Sequence, residues 1–157
     1  MTEILLNMYI NATAQVCYDL SRSIDLHQVS TAKTKERAIA GRTSGLMEAS
    51  EFVTWEAIHF GIKQNLTVRN IEMKPYTFFN EEMIKGAFKS MYHEHYFEEK
   101  DGGTLMSDIF RYETPGGMFG KIFDKLVLKA YMTKLLVERN DVIKEVAETG
   151  EWKKILR

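Results

Sequence analysis

Alternating apolar and polar positions open the chain and predict a strand. Every second residue from Ile4 to Ile10 is apolar, whereas Asn7 and Asn11 lie at the alternate positions. The apolar residues are Ile4, Leu6, Met8 and Ile10. Because successive side chains of a strand point to opposite faces, this period of two is typical of a strand with one buried face. Thr13 then stands where a helix N-cap is expected, and a second short helix is expected around residues 26–32.

Residues 37–113 continue the strand pattern. Glycine-rich or proline-containing breaks divide this region into runs at residues 37–40, 51–60, 63–73, 78–85, 88–98 and 104–113. Short connections favour antiparallel neighbours. Together with the first strand, the runs predict a curved antiparallel sheet of about six or seven strands.

The period changes to three and four residues after Thr114. Apolar residues recur at helical spacing: Phe119, Ile122, Phe123, Leu126, Val127, Ala130 and Tyr131. Lysines form a solvated stripe on another face at residues 121, 125 and 129, and Gly150 suits a helix end. We therefore predict one helix over residues 118–148, about 45 Å long, packed on the sheet. A single helix cannot cover a sheet fully, so the remaining space is either filled by side chains or left as a cavity.

Composition narrows the class of protein. The chain has 157 residues, of which 45% are hydrophobic and 27% charged, as expected for a single domain over residues 1–157. Its net charge of −1 gives no basic excess for nucleic acid. The lone Cys17 excludes an internal disulfide and suits a reducing compartment. Since no apolar run could span a bilayer, we expect a cytoplasmic protein with no transmembrane segment.

Polar residues on the predicted inner face of the sheet are the candidate functional residues. The more charged sets of the alternating strands belong outside, which assigns these residues inward: Val53, Trp55, Ala57, His59, Met91, His93, His95, Phe97, Met106, Asp108, Phe110 and Tyr112. Polar groups at the centre of a sheet are costly unless they are paired or hydrated. Three of the chain's four histidines share this assignment with one aspartate.

Three interpretations of the inward histidines stay open. They form a satisfied polar network oriented by Asp108, or they anchor the polar head of a ligand, or they bind a metal or act in catalysis. His93 and His95 would stand about 6–7 Å apart at the backbone, and His59 could complete a three-histidine set. Because that spacing is common in strands, we assign neither a metal nor another cofactor.

Several motifs together resemble a known superfamily. They lie at residues 19–21, 24–27, 41–47, 51–61, 79–83, 86–88, 93–97, 106–108 and 115–120. In this combination the chain is similar to the SRPBCC superfamily, in its bacterial branch of START-like, polyketide cyclase-like proteins. The resemblance implies an α+β helix-grip fold, in which the curved sheet, two short helices and a long C-terminal helix enclose a deep cavity. It further implies a hydrophobic or amphipathic guest such as a lipid, an isoprenoid or a polyketide-like aromatic.

A non-catalytic binding protein is the function we favour from the sequence. In this hypothesis the apolar lining consists of Trp55, Met91, Phe97, Met106, Phe110 and Tyr112. The helix would close the cavity with Phe119, Phe123, Leu126 and Ala130. The polar end would consist of His59, His93, His95 and Asp108.

Two alternatives come from other classes of protein. A cyclase or hydrolase could use an Asp108–histidine pair as general acid or base, although no residue is assigned a catalytic role. An interaction module could dock a partner or an anionic membrane through the exposed face of the sheet or through the lysine stripe. A homodimer is also open, through outward residues such as Tyr92, Tyr96 and Ile109.

Overall fold

A seven-stranded antiparallel sheet is the main element of the computed structural model, which describes residues 1–156. Its strands are β1 (Thr2–Ile10), β2 (Arg37–Gly41), β3 (Phe52–His59), β4 (Ile62–Lys74), β5 (Phe78–Lys85), β6 (Ser90–Lys100) and β7 (Gly103–Glu113). The strand order is β1-β7-β6-β5-β4-β3-β2, so the first and last strands of the chain are neighbours. The predicted curved antiparallel sheet is thereby confirmed.

Two short helices connect β1 to β2. These are α1 (Ala14–Ser21) and α2 (Ile24–Ser30), followed by a 3₁₀ turn at Ala32–Thr34. The Thr13 side chain accepts a hydrogen bond from the amide of Val16 at 3.3 Å, which confirms the predicted N-cap. Ser23 caps α2 in the same way, and for that reason α2 begins before the predicted residue 26.

A long helix follows β7 and ends at Gly150. It consists of α3 (Gly117–Phe123), a π-helical segment (Asp124–Leu128) and α4 (Lys129–Thr149), and a short α5 (Trp152–Ile155) comes after it. Gly150 adopts φ 79°, a left-handed conformation that ends helices and that glycine adopts without steric cost. The predicted helix-grip architecture is therefore present. Within residues 1–156, no helix is both long and apolar enough to cross a bilayer.

The first half of the long helix faces the sheet differently from the prediction. Phe119 is 86% exposed, Leu126 is 73% exposed, and Ala130 is exposed as well. Asp124 is buried instead, because its carboxylate accepts hydrogen bonds from the Tyr112 hydroxyl and the Thr2 hydroxyl. This anchor lies within the π-helical segment, whose extra residue per turn rotates the inward face relative to a regular helix. The expected apolar stripe is therefore largely outside.

Two apolar clusters share the space between the sheet and the helices. The closed end consists of Ile10, Val16, Cys17, Tyr18, Leu20, Leu26, Phe79, Phe97, Met106, Ile143 and Ala147. The hollow end consists of Ile4, Ile24, Met47, Val53, Trp55, Val68, Met91, Phe110, Tyr112 and Leu136. Strands β1, β6 and β7 run from one cluster to the other, so residues on one face of each contribute to both.

Candidate functional site

A cavity of about 370 Å³ lies at the hollow end. Most hollow-end side chains line it, whereas those of the closed end do not. Its exposed lining residues belong to the loops at one end of the sheet, to the start of β4 and to the long helix: Phe60, Asn65, Ala87, Pro115 and Phe123. The cavity therefore opens between these loops and the helix.

The structure places part of the predicted site on the cavity wall. The predicted residues on that wall are Trp55, His59, Met91, His93, Phe110 and Phe123. The predicted residues that do not line it are His95, Phe97, Met106, Asp108, Tyr112, Leu126 and Ala130. Leu126 and Ala130 face outward for the reason given above. The other five are inward but belong to the closed end, to the polar network or to the Asp124 anchor, since two residues along a strand advance about 6–7 Å.

A buried polar network separates the two ends. Asp108 is 1% exposed and accepts hydrogen bonds from His95 Nδ1 at 2.8 Å and from Asn140 Nδ2 at 2.5 Å. Arg139 donates to Asn140 Oδ1 and to the Ser21 carbonyl, each at 3.0 Å. Asn140 thus links a buried carboxylate to a buried guanidinium, which partly compensates the cost of burying both charges.

The network fixes the charge of its members. Burial alone would raise the pKa of Asp108, but the adjacent imidazoles of His93 and His95 outweigh burial and hold that pKa well below its usual range. Burial and the neighbouring His93 lower the pKa of His95 to about 4. At neutral pH Asp108 is therefore ionised and His95 is neutral.

Strand register brings Glu81 close to His93 and His95. The pairing of β5 with β6 sets Glu81 opposite His93, and the pairing of β6 with β7 sets His95 opposite Asp108. Suitable ligand atoms of Glu81, His93 and His95 lie within 4.8 Å of one another. Glu81 and His93 line the cavity, whereas His95 is buried and does not. The predicted three-histidine set does not form, because His59 lies elsewhere.

His59 belongs to a second polar group of the cavity wall. Its Nδ1 is 2.7 Å from the Tyr131 hydroxyl, and burial lowers the pKa of His59. On the same wall, His27 Nε2 is 2.8 Å from Glu36 Oε1 and its ring lies 4.2 Å from the ring of Trp55. The largely apolar cavity wall therefore carries this polar group in addition to Glu81 and His93.

Aromatic side chains flank the opening of the cavity. Phe60 has φ 53° and Gly61 has φ 74° in the turn between β3 and β4. A positive φ is unusual for a bulky residue, and the surrounding contacts must stabilise it. Here the Phe60 ring packs 4.5 Å from the Tyr131 ring and 5.8 Å from the Phe123 ring, which joins the turn to the long helix.

Sequence reasoning missed Arg139, Asn140, Glu81 and His27. A signal existed for the first two, because they share the helical spacing of the buried residues 136, 143 and 147. A polar pair at such positions indicates a buried network. Glu81 carried no comparable signal, since its position opposite His93 depends on cross-strand register.

Solved structures with the same fold place this geometry in context. A Thermus thermophilus protein, TTHA0849, is 18% identical, with a TM-score of 0.76 over 95% of this chain and 99% of that one. Major latex-like protein 151 of Panax ginseng is 12% identical, with a TM-score of 0.68 over 93% and 97%. The di-domain ARO/CYC StfQ of the steffimycin biosynthetic pathway is 9% identical, with a TM-score of 0.76 over 95% of this chain and 51% of that one.

These similarities define the class of fold. The chain has the helix-grip fold and shares it with these neighbours, which confirms the fold that the sequence resemblance implied. No protein-family model matches the sequence, and no curated protein matches it significantly. At identities of 8–18% among the neighbours, the function must be argued from the cavity itself.

Proposed function

We propose that this protein binds a small hydrophobic or amphipathic molecule in the cavity between the sheet and the long helix. The observation that carries the proposal is the cavity of about 370 Å³ with largely apolar walls and a few inward polar groups. Small-molecule sites typically have this size and this composition. Trp55, Met91 and Phe110 would supply apolar contact, and burial of apolar surface would supply most of the affinity.

The polar groups restrict the class of guest. His93 with Glu81 and the His59–Tyr131 pair stand on the cavity wall, where they would bind oxygen atoms of a guest. A lipid, an isoprenoid or a polyketide-like aromatic that carries hydroxyl or carbonyl groups fits this arrangement. A location in the cytoplasm and a homodimer stay predictions from the sequence.

A cyclase or hydrolase is the second candidate function. One fold neighbour is an ARO/CYC di-domain protein, and the Asp108–His95 pair has the spacing of a base and its orienting carboxylate. Two observations favour binding over catalysis. Asp108 and His95 lie outside the cavity wall, and the pKa of His95, lowered by burial and by His93 to about 4, makes it a weak base.

A fluorescence titration tests the binding proposal. Trp152 belongs to the closed end, so Trp152→Phe leaves Trp55 as the sole tryptophan, on the cavity wall. We expect the amphipathic probe 1-anilinonaphthalene-8-sulfonate to bind in a 1:1 ratio and to quench Trp55 by energy transfer. Ala57→Phe, which places a ring in the cavity, should weaken probe binding at least about tenfold.

Leu5→Phe is the matched control for that titration, because Leu5 is 57% exposed on the outer face of the sheet. It should leave probe binding unchanged. Native mass spectrometry of the purified protein gives a second measurement, since a bound guest would appear as an organic mass released by denaturation. The proposal fails if the probe does not saturate the wild type, or if Ala57→Phe binds it as well as Leu5→Phe does.

A further inference from the structure

Three side chains of the kinds that coordinate metal ions lie close together where β5 and β6 pair. Glu81 lies opposite His93, and His95 follows two residues later on the same face of β6. The rings of His93 and His95 are 3.9 Å apart between centroids, and ligand atoms of all three residues lie within 4.8 Å of one another. Both histidines are more than nine-tenths buried.

The hydrogen bond to Asp108 determines the tautomer of His95. His95 Nδ1 lies 2.8 Å from Asp108 Oδ1, and a carboxylate oxygen accepts hydrogen bonds, so Nδ1 is the ring nitrogen that donates. His95 Nε2 is then a free lone pair, and it is buried without a hydrogen-bond partner among residues 1–156. A carboxylate that orients a histidine in this way is typical of metal-ligating histidines.

His93 also has a buried ring nitrogen without a hydrogen-bond partner. Its Nε2 lies 3.4 Å from Asp108 Oδ1 but makes no hydrogen bond within the described part of the chain. Native structures rarely leave buried polar atoms unpaired, because each costs about 1–3 kcal/mol. The Glu81 carboxylate adds acceptor oxygens only. A cation placed among these groups would satisfy the carboxylate and both imidazoles together.

We propose that Glu81, His93 and His95 bind one divalent first-row transition-metal ion. Two imidazoles and one carboxylate are a ligand set of zinc sites and of non-haem iron(II) sites. Asp108 acts as the positioning residue for His95. Because Glu81 and His93 line the cavity, the remaining coordination positions face it and can take an oxygen atom of a guest. The site is independent of the proposed organic guest, since the metal alone can be titrated.

Calorimetric titration with Zn²⁺ tests the site. The protein is purified without a histidine tag, treated with a chelator and dialysed, and then titrated at pH 7. We expect 1:1 binding and a rise in Tm with Zn²⁺ concentration. His93→Gln and Glu81→Gln should each weaken binding by at least about tenfold, and Asp108→Asn by about 10–100-fold.

Two control variants separate this site from others. Glu82→Gln changes the neighbouring acid on the opposite face of β5, which pairs with the exposed Tyr92, and His59→Gln changes a cavity histidine outside the cluster. Both should bind Zn²⁺ as the wild type does. Titration with Co²⁺ gives a spectroscopic measurement, because its visible absorption reports the nitrogen and oxygen ligands and should be lost in Glu81→Gln.

Two outcomes would overturn the site. One is a wild type without saturable Zn²⁺ binding below about 0.1 mM. The other is Zn²⁺ binding that Glu81→Gln and His93→Gln retain or that His59→Gln removes. Glu81 is only partly buried, so Glu81→Gln should fold even if the histidine variants do not. Loss of probe binding with retained Zn²⁺ binding would contradict the proposed function and leave the metal site intact.

Discussion

The closed end and the hollow end share strands β1, β6 and β7 but are filled differently. At the closed end, Phe79 is fully buried and its ring stacks 4.2 Å from the ring of His95, with Tyr18 at 5.5 Å. At the hollow end, Trp55 and Phe110 border a cavity instead. The closed end also receives α1, α5 and the last turns of α4, whereas the hollow end faces the outward-rotated first half of the long helix.

This difference assigns stability mainly to the closed end and ligand recognition to the hollow end. Each methylene deleted from a packed interior lowers the free energy of unfolding. A side chain on a cavity wall has fewer packing contacts, so its truncation removes less. Asp108, Asn140 and Arg139 lie at the boundary and join β7 to α4. The network thus holds the helix in place where apolar packing stops, and the space beyond it is kept open.

Shortening one phenylalanine at each end should give the largest contrast. We expect Phe79→Ala to lower the free energy of unfolding by about 3–5 kcal/mol, because a buried ring leaves a new cavity. Phe88→Ala, on the partly buried cavity wall, should cost less than half as much. Urea unfolding followed by circular dichroism measures both. Equal costs would contradict the distinction between the two ends.

Acid should destabilise the boundary between the two ends. Burial and His93 lower the pKa of His95 from 6.5 to about 4, so between these values the unfolded chain binds a proton that the folded chain does not. Stability is therefore full above pH 6.5 and falls as the pH drops, by up to about 3 kcal/mol at pH 4.

His95→Gln should flatten this dependence between pH 6.5 and pH 4, because it removes the titrating ring. Below that window both proteins should lose further stability as the Asp108 carboxylate takes up a proton. This loss should be smaller in the variant, because burial raises the pKa of Asp108 and only His93 is then left to lower it. Urea unfolding at a series of pH values measures the slopes. Identical slopes for wild type and variant would exclude His95 as the cause.

Adding a ring at each end should give a smaller contrast. Ala147→Phe overfills the closed end and should cost about 1–3 kcal/mol. Ala57→Phe directs the same ring into the cavity and should change the free energy of unfolding by less than about 1 kcal/mol. Thermal unfolding of the two variants beside the wild type measures the difference. A larger cost at residue 57 would mean that the cavity is not available space.

Cys17 offers the mildest probe of the closed end. Burial raises the pKa of its thiol to about 11, and the residue has no exposed surface. We expect 5,5′-dithiobis(2-nitrobenzoic acid) at pH 8 to label native protein only at the rate at which the closed end opens. Phe79→Ala should speed labelling, and Phe88→Ala should not. Immediate labelling of the wild type would show that this end is not tightly packed.

Much of the fold could be predicted from the sequence because its signals are local. Alternation identified the inward faces of β3, β6 and β7, and Trp55, His93 and Asp108 are all buried there. The helix face was wrong because the apolar stripe on residues 119–130 is outweighed by Asp124, whose partners Thr2 and Tyr112 are distant in the chain. No local pattern reports such a long-range hydrogen bond.

The sequence by itself determined which residues are strands, which faces of β1, β3, β6 and β7 are buried and where the long helix ends. These properties follow from the period of the side chains, from N-caps and from a terminal glycine. Only the tertiary structure decided that Glu81 meets His93, that Asp108 meets His95 and Asn140, and that one end is hollow. Register and helix rotation are set by contacts between distant segments, so the site exists only once those segments pack.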